Sequence, residues 1–407
     1  MDAGARMEVI RELCSFEGRA AGTDAERRAA NWLARRLRAS GRRVEVEPTY
    51  VHPKYGLVHA GHCTLGFAGS LVAIAQPAAG FGICLASALS MYLDLNARFY
   101  LLRRLFFRRA SQNVVSPGSR PDAPARILLC AHYDAARTGS PFDPKRLARA
   151  ARLTVRLGLP VAPFRVLFWS LAVLLPILGA RMAGVESGVI SLLQLPPTLI
   201  LLTGAFMLTD VELSEVVPGA NDNASGVATA LSLAEELEVD PPENLDVWVV
   251  LTGAAECLME GMRSYVRAHR PELEGGRAWF LVLDSVGRGT VRFETAAGLA
   301  VTFEMDARLV ELCAAISTAD REDGNRFGAK ALRQAFATDT LPPRIAKLPA
   351  TAISCLDDGA LVPADYHRPE DVPERIDAEA LERAHGFALE LVHALDRDVA
   401  RSRARAD

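Results

Sequence analysis

The sequence predicts an α/β fold with a mostly parallel sheet, interrupted twice by apolar helical hairpins. Three observations carry this. Apolar, β-branched runs alternate with segments of helical periodicity, as in "ARILLCAHYD", "ASGVATALSLAEELEV" and "NLDVWVVLTGA", and that alternation favours strands joined by helices. Long stretches almost without charge occur in two adjacent pairs. Ionisable residues recur where the apolar strands stop, at the edge where open α/β sheets bind ligands.

The elements follow in chain order. "DAERRAANWLARRLRASG" places Ala29, Trp32, Leu33 and Leu37 at helical spacing and ends on Gly41, a stop signal. "RRVEVEPTYV" alternates as a strand does. From residue 55 to residue 93 there is no Asp, Glu, Lys or Arg. About 20 apolar residues cross a bilayer, so this run has room for two crossings, with "AQPAAG" (residues 75–80) as the turn. "NVVSPG" and "ARILLCAHYD" read as strands, the second central because it is nearly all apolar. A second apolar pair follows, "LGLPVAPFRVLFWSLAVLLPILGA" (157–180), with Arg165 near enough to one end to snorkel, and "SGVISLLQLPPTLILLTGAFMLT" (187–209). Pro196 and Pro197 are compatible with a bundle, where neighbours re-satisfy freed backbone groups. Then come a helix over 224–239, the strand "NLDVWVVLTGA", a helix through "MRSYVRAHR", the buried strand "AWFLVLDSVG" and a closing amphipathic helix over 377–396.

The expected organisation is one α/β domain made of residues 1–54, 110–143 and 210–398. Residues 55–109 form the first hairpin with a basic flank. Residues 144–209 form a basic amphipathic segment and the second hairpin, and 399–407 a frayed polar tail. Arg98, Arg103, Arg104, Arg108 and Arg109 follow the first apolar pair. Lys145, Arg149, Arg152 and Arg156 share one helix face before the second, as on a helix lying at a membrane surface. The short connections on the far side carry little positive charge beyond Arg181. Positive-inside bias then places both termini and the α/β domain in the cytoplasm, on a multi-pass protein of the cell (inner) membrane. The partners expected are a lipid bilayer and no nucleic acid, since a net charge of −3 gives no field favouring it. Seven cysteines without a CxxC spacing fit a reducing compartment. No cleaved signal peptide is read at the start, and nothing in the sequence sets the oligomeric state.

His132 and Asp134 end "ILLCAHYD". Asp222 lies in "PGANDNASG", Glu256 ends "VWVVLTGAAE", Asp284 ends "FLVLDSVG", and His367 lies in "DYHRPEDVPERID". Each alone reads more readily as a structural residue, Glu256 as a solvated turn carboxylate. Together, His132, Asp222, Glu256, Asp284 and His367 supply the two histidines and three carboxylates that two adjacent divalent ions need, one carboxylate being shared. Imidazole with carboxylate suits zinc. Asp134 is placed to take the other ring N–H of His132, orienting it.

With these pieces assembled, the chain resembles the di-zinc aminopeptidase and glutamate carboxypeptidase-like exopeptidases, a group that also holds glutaminyl cyclases and transferrin-receptor-like domains. The resemblance rests on "GRAAGTDAERRAANWLARRLRASG", "NVVSPG", "LLCAHYD", "PGANDNASGVATALSLAEEL", "GAAECLMEGMRSYV", "LDSVG" and "YHRPEDVPERID", in the family's order. It implies a mixed, mainly parallel central sheet flanked by helices. It also implies two zinc ions, one on His132 and Asp284, the other on Glu256 and His367, with Asp222 bridging. Active members carry two adjacent glutamates where this chain has Ala255 and Glu256. The first is the general base, so here that position is Ala255. Soluble members also have short loops where this chain has hairpins. The expected function is a membrane-anchored exopeptidase of the aminopeptidase type, acting on peptides with a free N-terminus at a rate reduced by Ala255. The alternative is an inactive pseudopeptidase that binds metal or peptide, and a weaker one is a glutaminyl-cyclase-like acyltransferase. Glu260 is a weak substitute for the base, more readily a solvated helix residue. Asp357 and Asp358, ahead of the His367 loop, are further acidic candidates.

Overall fold

The computed structural model describes residues 1–158, 161–185, 187–274 and 277–405. Nine strands form one mixed sheet: β1 (Glu45–Val51), β2 (Arg109–Ser116), β3 (Ala125–His132), β4 (Leu245–Thr252), β5 (Ala278–Leu283), β6 (Thr290–Ala297), β7 (Phe303–Glu304), β8 (Lys330–Arg333) and β9 (Ala350–Leu356). The order is β1-β2-β4-β3-β5-β9-β6-β7, with β8 on β6. The four central strands, β4, β3, β5 and β9, are parallel to one another. These are the most apolar strands, and the sheet is covered on both faces, as parallel sheets are. On one face Val9, Leu33, Leu231 and Leu391 pack with Leu129, Val249 and Leu281. On the other, Met262 and Tyr265 pack with Leu128, Val250 and Phe280.

Both apolar insertions are helical hairpins. The first interrupts the antiparallel pair β1–β2: helices Tyr55–Ala75 and Pro77–Leu95 are separated by Gln76 alone. The expected turn is therefore shorter than "AQPAAG", because Pro77 occupies the first helical position, where its missing N–H costs nothing. The second insertion lies between β3 and the loop carrying Asp222. It comprises the helix Pro144–Leu157, none of whose residues is buried, and the helices Pro163–Met182 and Gly188–Leu213. Residues 159–160 of the third apolar run lie outside the described residues. Among the described residues, four helices are long and apolar enough to cross a membrane, and they pack as a single bundle.

Small residues let these helices approach. A Cβ on Gly80 would lie 2.4 Å from the Cβ of Ala73, and one on Gly66 would lie 2.3 Å from Leu171. Polar side chains tie helix to helix, with Ser70 Oγ and Thr198 Oγ1 2.6 Å apart and Gln194 Nε2 donating to the Ser70 carbonyl at 2.7 Å. Close small-residue seams and buried hydroxyl–amide bonds are how helices associate when apolar burial cannot drive them.

The bundle is joined to the α/β domain by buried polar contacts. Arg103 is wholly buried. It donates to both carboxylate oxygens of Asp94, at 2.9 and 2.7 Å, to Glu260 Oε1 at 2.6 Å and to the Cys257 carbonyl at 3.0 Å. Expected in the basic flank, Arg103 is thus a buried joint, while Arg98, Arg104, Arg108 and Arg109 are exposed. Glu212, ending the last apolar helix, accepts from Lys54 Nζ at 2.9 Å just before the first, so the roots of the two hairpins meet. Arg165 donates to the Gly298 carbonyl at 2.9 Å and to Thr302 at 2.8 Å, so it binds the α/β domain. The closing helix runs through Ala404, past the start of the expected frayed tail. Asp398, facing Arg308 and Arg401, and the Ser402 hydroxyl that receives a bond from Arg308, give those polar turns tertiary partners.

Candidate metal centre

Register brings the site together. In the parallel pair β3–β4, His132 stands opposite Thr252, so the residues after Thr252 emerge beside His132 at the same sheet edge. β5 ends at Leu283, one residue before Asp284. Asp222 arrives on a loop held from two sides. Asp371 accepts from the N–H groups of Asn221 and Asp222 at 2.7 and 3.0 Å. The buried Arg19 donates to the carbonyls of Pro218, Gly219 (2.6 Å) and Tyr133 (2.9 Å).

Two groups of ligand-type side chains result, His132–Asp222–Asp284 and Asp222–Glu256–His367, with the donor atoms of each within 4.8 Å of one another. Asp222 belongs to both, and its two oxygens face different histidines. Oδ1 lies 3.3 Å from His132 Nε2, and Oδ2 lies 3.3 Å from His367 Nε2. His367 Nε2 is also 3.3 Å from Glu256 Oε2, and His132 Nε2 is 4.0 Å from Asp284 Oδ2.

This donor set fits cations. Asp222 Oδ2 and His367 Nε2 are buried yet make no hydrogen bond, despite their proximity. A buried polar atom without a partner is costly, and atoms directed at a common point rather than at each other suit a shared ion. Charge says the same. Burial opposes a proton on His367, yet Glu256 and Asp222 outweigh it and push the imidazole up to about 10. His132 is likewise raised, the carboxylates of Asp134, Asp222 and Asp284 overcoming burial. Burial pushes the Asp284 carboxyl up to about 7 against the pull of His132, and it raises Glu256 too. Against the same burial, the two imidazoles hold Asp222 below the usual carboxylate range. The cluster thus carries more negative charge than its surroundings neutralise, which a divalent cation would balance.

Asp134 has two functions in this geometry. Its Oδ1 lies 3.5 Å from His132 Nδ1. The same carboxylate accepts from the N–H groups of Ala255 and Glu256, both at 3.0 Å, fixing the turn that carries Glu256. That turn is strained, with Ala254, Leu258 and Met259 at positive φ, and such strain persists only where the surroundings over-determine the backbone. Glu26 supplies a further clamp, accepting from Ala254 N–H at 3.0 Å. Gly261 is required here, since a Cβ would sit 1.9 Å from the Gly253 carbonyl oxygen.

Ala255 lines the cavity over the cluster, a space of about 70 Å³ shared with His132, Asp222, Glu256 and Asp284. Glu260 does not line it. Its carboxylate points away, to Arg103 and the His52 N–H, so it is neither a substitute base nor a solvated helix residue. Asp358 is engaged by Lys330 and Arg292, and Asp357 is exposed outside the cavity. The carboxylate that the sequence reading missed is Asp339. It lines the same cavity, accepts from the Thr252 hydroxyl through Oδ2, and leaves Oδ1 buried without a partner. Burial pushes it up to about 6. Nothing in "QAFATDTLPP" marks it locally, because it reaches the site only through tertiary packing. Phe142 was also missed. It lies just ahead of the helix Pro144–Leu157 and meets the His367 ring at 4.4 Å, with Tyr366 stacked on that ring at 3.8 Å.

The model of peptidase family M28 matches residues 207–392, the stretch holding Asp222, Glu256, Asp284 and His367 but not His132. It is the family anticipated from the sequence. Among solved structures, a zinc aminopeptidase from Bacillus subtilis is similar at a TM-score of 0.56 and 15% identity, over 96% of this chain and 95% of that one. A glutaminyl cyclase from Bacteroides thetaiotaomicron, bound to N-acetylhistamine, gives 0.55 and 16% over 96% and 97%. A Zn-dependent exopeptidase from Parabacteroides distasonis gives 0.53 and 15% over 96% and 98%. At such identities these likenesses establish the zinc exopeptidase-like fold. No curated protein matches the sequence.

Proposed function

We propose that the chain is a membrane-anchored, zinc-dependent exopeptidase of the aminopeptidase type, hydrolysing amides beside a free amino group. The observation that carries it is the shared position of Asp222 between His132–Asp284 and Glu256–His367. His132 and Asp284 would hold one ion, Glu256 and His367 the other, and Asp222 both. When bound, zinc activates water and polarises a carbonyl. Asp134 keeps His132 oriented and the Glu256 turn in place. Ala255 offers no proton acceptor where the resemblance expects one, and Asp339, which lines the same cavity and keeps one carboxylate oxygen without a hydrogen-bond partner, would take that role at a lower rate. The four apolar helices and the exposed apolar residues along them, among them Ile74, Leu89, Leu192 and Phe206, support a bilayer location. The exposed arginines at the hairpin roots favour a cytoplasmic α/β domain.

The test is metal content and hydrolysis of leucine p-nitroanilide by the detergent-purified protein. About two zinc ions per chain are expected, with activity lost to a chelator and restored by zinc. Absence of bound zinc overturns the proposal. Ala255 favours a second reading, a pseudopeptidase that holds metal without turnover. Bound zinc with no hydrolysis, in the wild type and in Ala255→Glu alike, would select it.

A further inference from the structure

The cavity over the metal cluster is the first of three adjoining cavities that lead to the apolar helical bundle. It shares Ala255, Glu256, Met259, Phe336, Ala337 and Tyr366 with a second space of about 100 Å³. That space shares Pro141, Ala162, Pro163, Leu208 and Phe336 with a third of about 380 Å³. Phe336 lines all three. The outer space lies between the two helices of the second hairpin, lined by Val166 and Leu167 on one and Leu199, Ile200 and Gly204 on the other. Leu199 and Ile200 are also exposed on the outer surface of the bundle, 49% and 37%, so the space reaches the face turned toward lipid. Polarity falls along the path. The ionisable side chains of the middle space are Glu256, His367, Tyr55 and Tyr366, and the outer one has only Arg146, on the helix Pro144–Leu157.

From this row of adjoining cavities we infer that the site takes an amphiphile from the bilayer: an aminoacyl amide whose leaving amine carries a long hydrocarbon chain. This rests on the hydrolase proposed above. The polar amide would sit at the cluster and the chain would lie along the apolar path, its far end between the hairpin helices. Hydrolysis breaks the C–N bond, with the hydroxyl of water going to the acyl carbon and its proton to the leaving amine. The freed alkylamine stays in the membrane and the amino acid leaves to water. A soluble peptidase needs no such path, and a chain already in lipid enters an apolar space without being exposed to water.

The test uses the full-length protein in lipid nanodiscs with leucine butylamide and leucine dodecylamide. Partitioning alone favours the longer substrate in every variant, so the informative quantity is how a blocked path changes the ratio of their kcat/KM values. Ala150→Trp fills the outer space from a helix with no buried residues, and it should lower the dodecylamide-to-butylamide ratio at least tenfold. Thr203→Trp, from the opposite wall, serves if the first variant is not recovered folded. Leu192→Trp, exposed and outside the path, should leave the ratio unchanged. A diazirine at the end of the dodecyl chain gives a readout independent of turnover. Photolabelling should fall on residues 199–208 and be lost in Ala150→Trp. Labelling without hydrolysis retires the hydrolase and leaves the path standing. Labelling spread evenly over the bundle and indifferent to Ala150→Trp, or an unaltered kcat/KM ratio, overturns the path itself.

Discussion

At Ala255 one methyl group stands in a cavity surrounded by potential metal ligands. The backbone around it is held independently of that side chain, through Asp134 and Glu26. Ala255→Glu should therefore add a proton acceptor without moving Glu256. Hydrolysis of leucine p-nitroanilide should rise by as much as ~10²–10⁴-fold, the usual worth of a positioned base, with zinc content unchanged. Asp339→Asn should lower wild-type activity and matter far less in the Ala255→Glu background, since one acceptor suffices; steady-state kinetics on the four proteins check this. A second buried carboxylate sets a pH dependence. Burial pushes Glu294 up to about 7 from an ordinary 4.5, although Thr340, Gln334 and Thr338 donate to it. Between those values the folded chain holds a proton that the unfolded chain has lost, so stability falls as pH rises through that window. Each unit of difference is worth ~1.4 kcal/mol. Glu294→Gln should flatten the profile, as thermal unfolding in detergent from pH 4.5 to 7.5 will show.

Among the elements, the joint at Arg103 matters most, because it fastens Asp94 at the end of the second apolar helix to Glu260 and Cys257, just beyond the Glu256 turn. Arg103→Ala would remove the guanidinium shared by two buried carboxylates, a loss of ~3–5 kcal/mol for a broken buried pair. Arg103→Lys should restore little, because a single ammonium cannot reproduce the fork. Both variants should unfold earlier in a detergent thermal melt, and zinc should be released earlier from the Glu256 side. Glu260→Gln should likewise lower stability while sparing catalysis in protein that remains folded. Here the limit of the sequence is visible. Strands and ligand positions were legible because each is local: an apolar run, a turn and an ionisable residue in order. The orientation of Glu260 was not, because its partners Arg103 and His52 come from segments separated from it by more than a hundred residues. Asp339 was hidden in the same way, since its partner Thr252 stands 87 residues before it. The last helix outran its expected end because Asp398 and Ser402 find Arg308 on a neighbouring helix.

For the whole molecule, the four apolar runs are legible from their length and near absence of charge, and the structure returns them as four helices in one bundle. The chain should stay with membranes through alkaline carbonate, and reporters fused at either end should register the cytoplasm; extraction by salt would refute the anchoring. The hairpins do not trail from the α/β domain. The first separates strands that are neighbours in the sheet, and the second separates β3 from the Asp222 loop. With the bundle in a bilayer, a single proteolytic cut could not free the α/β domain, since each hairpin is joined to it at both ends. Synthesis is constrained in the same way. The ribosome completes β1 before the first hairpin and β2 only after it, so β1 cannot pair with β2 until that whole hairpin has been made. A chain arrested between the two strands would leave β1 without its neighbour, an open sheet edge exposed to proteases.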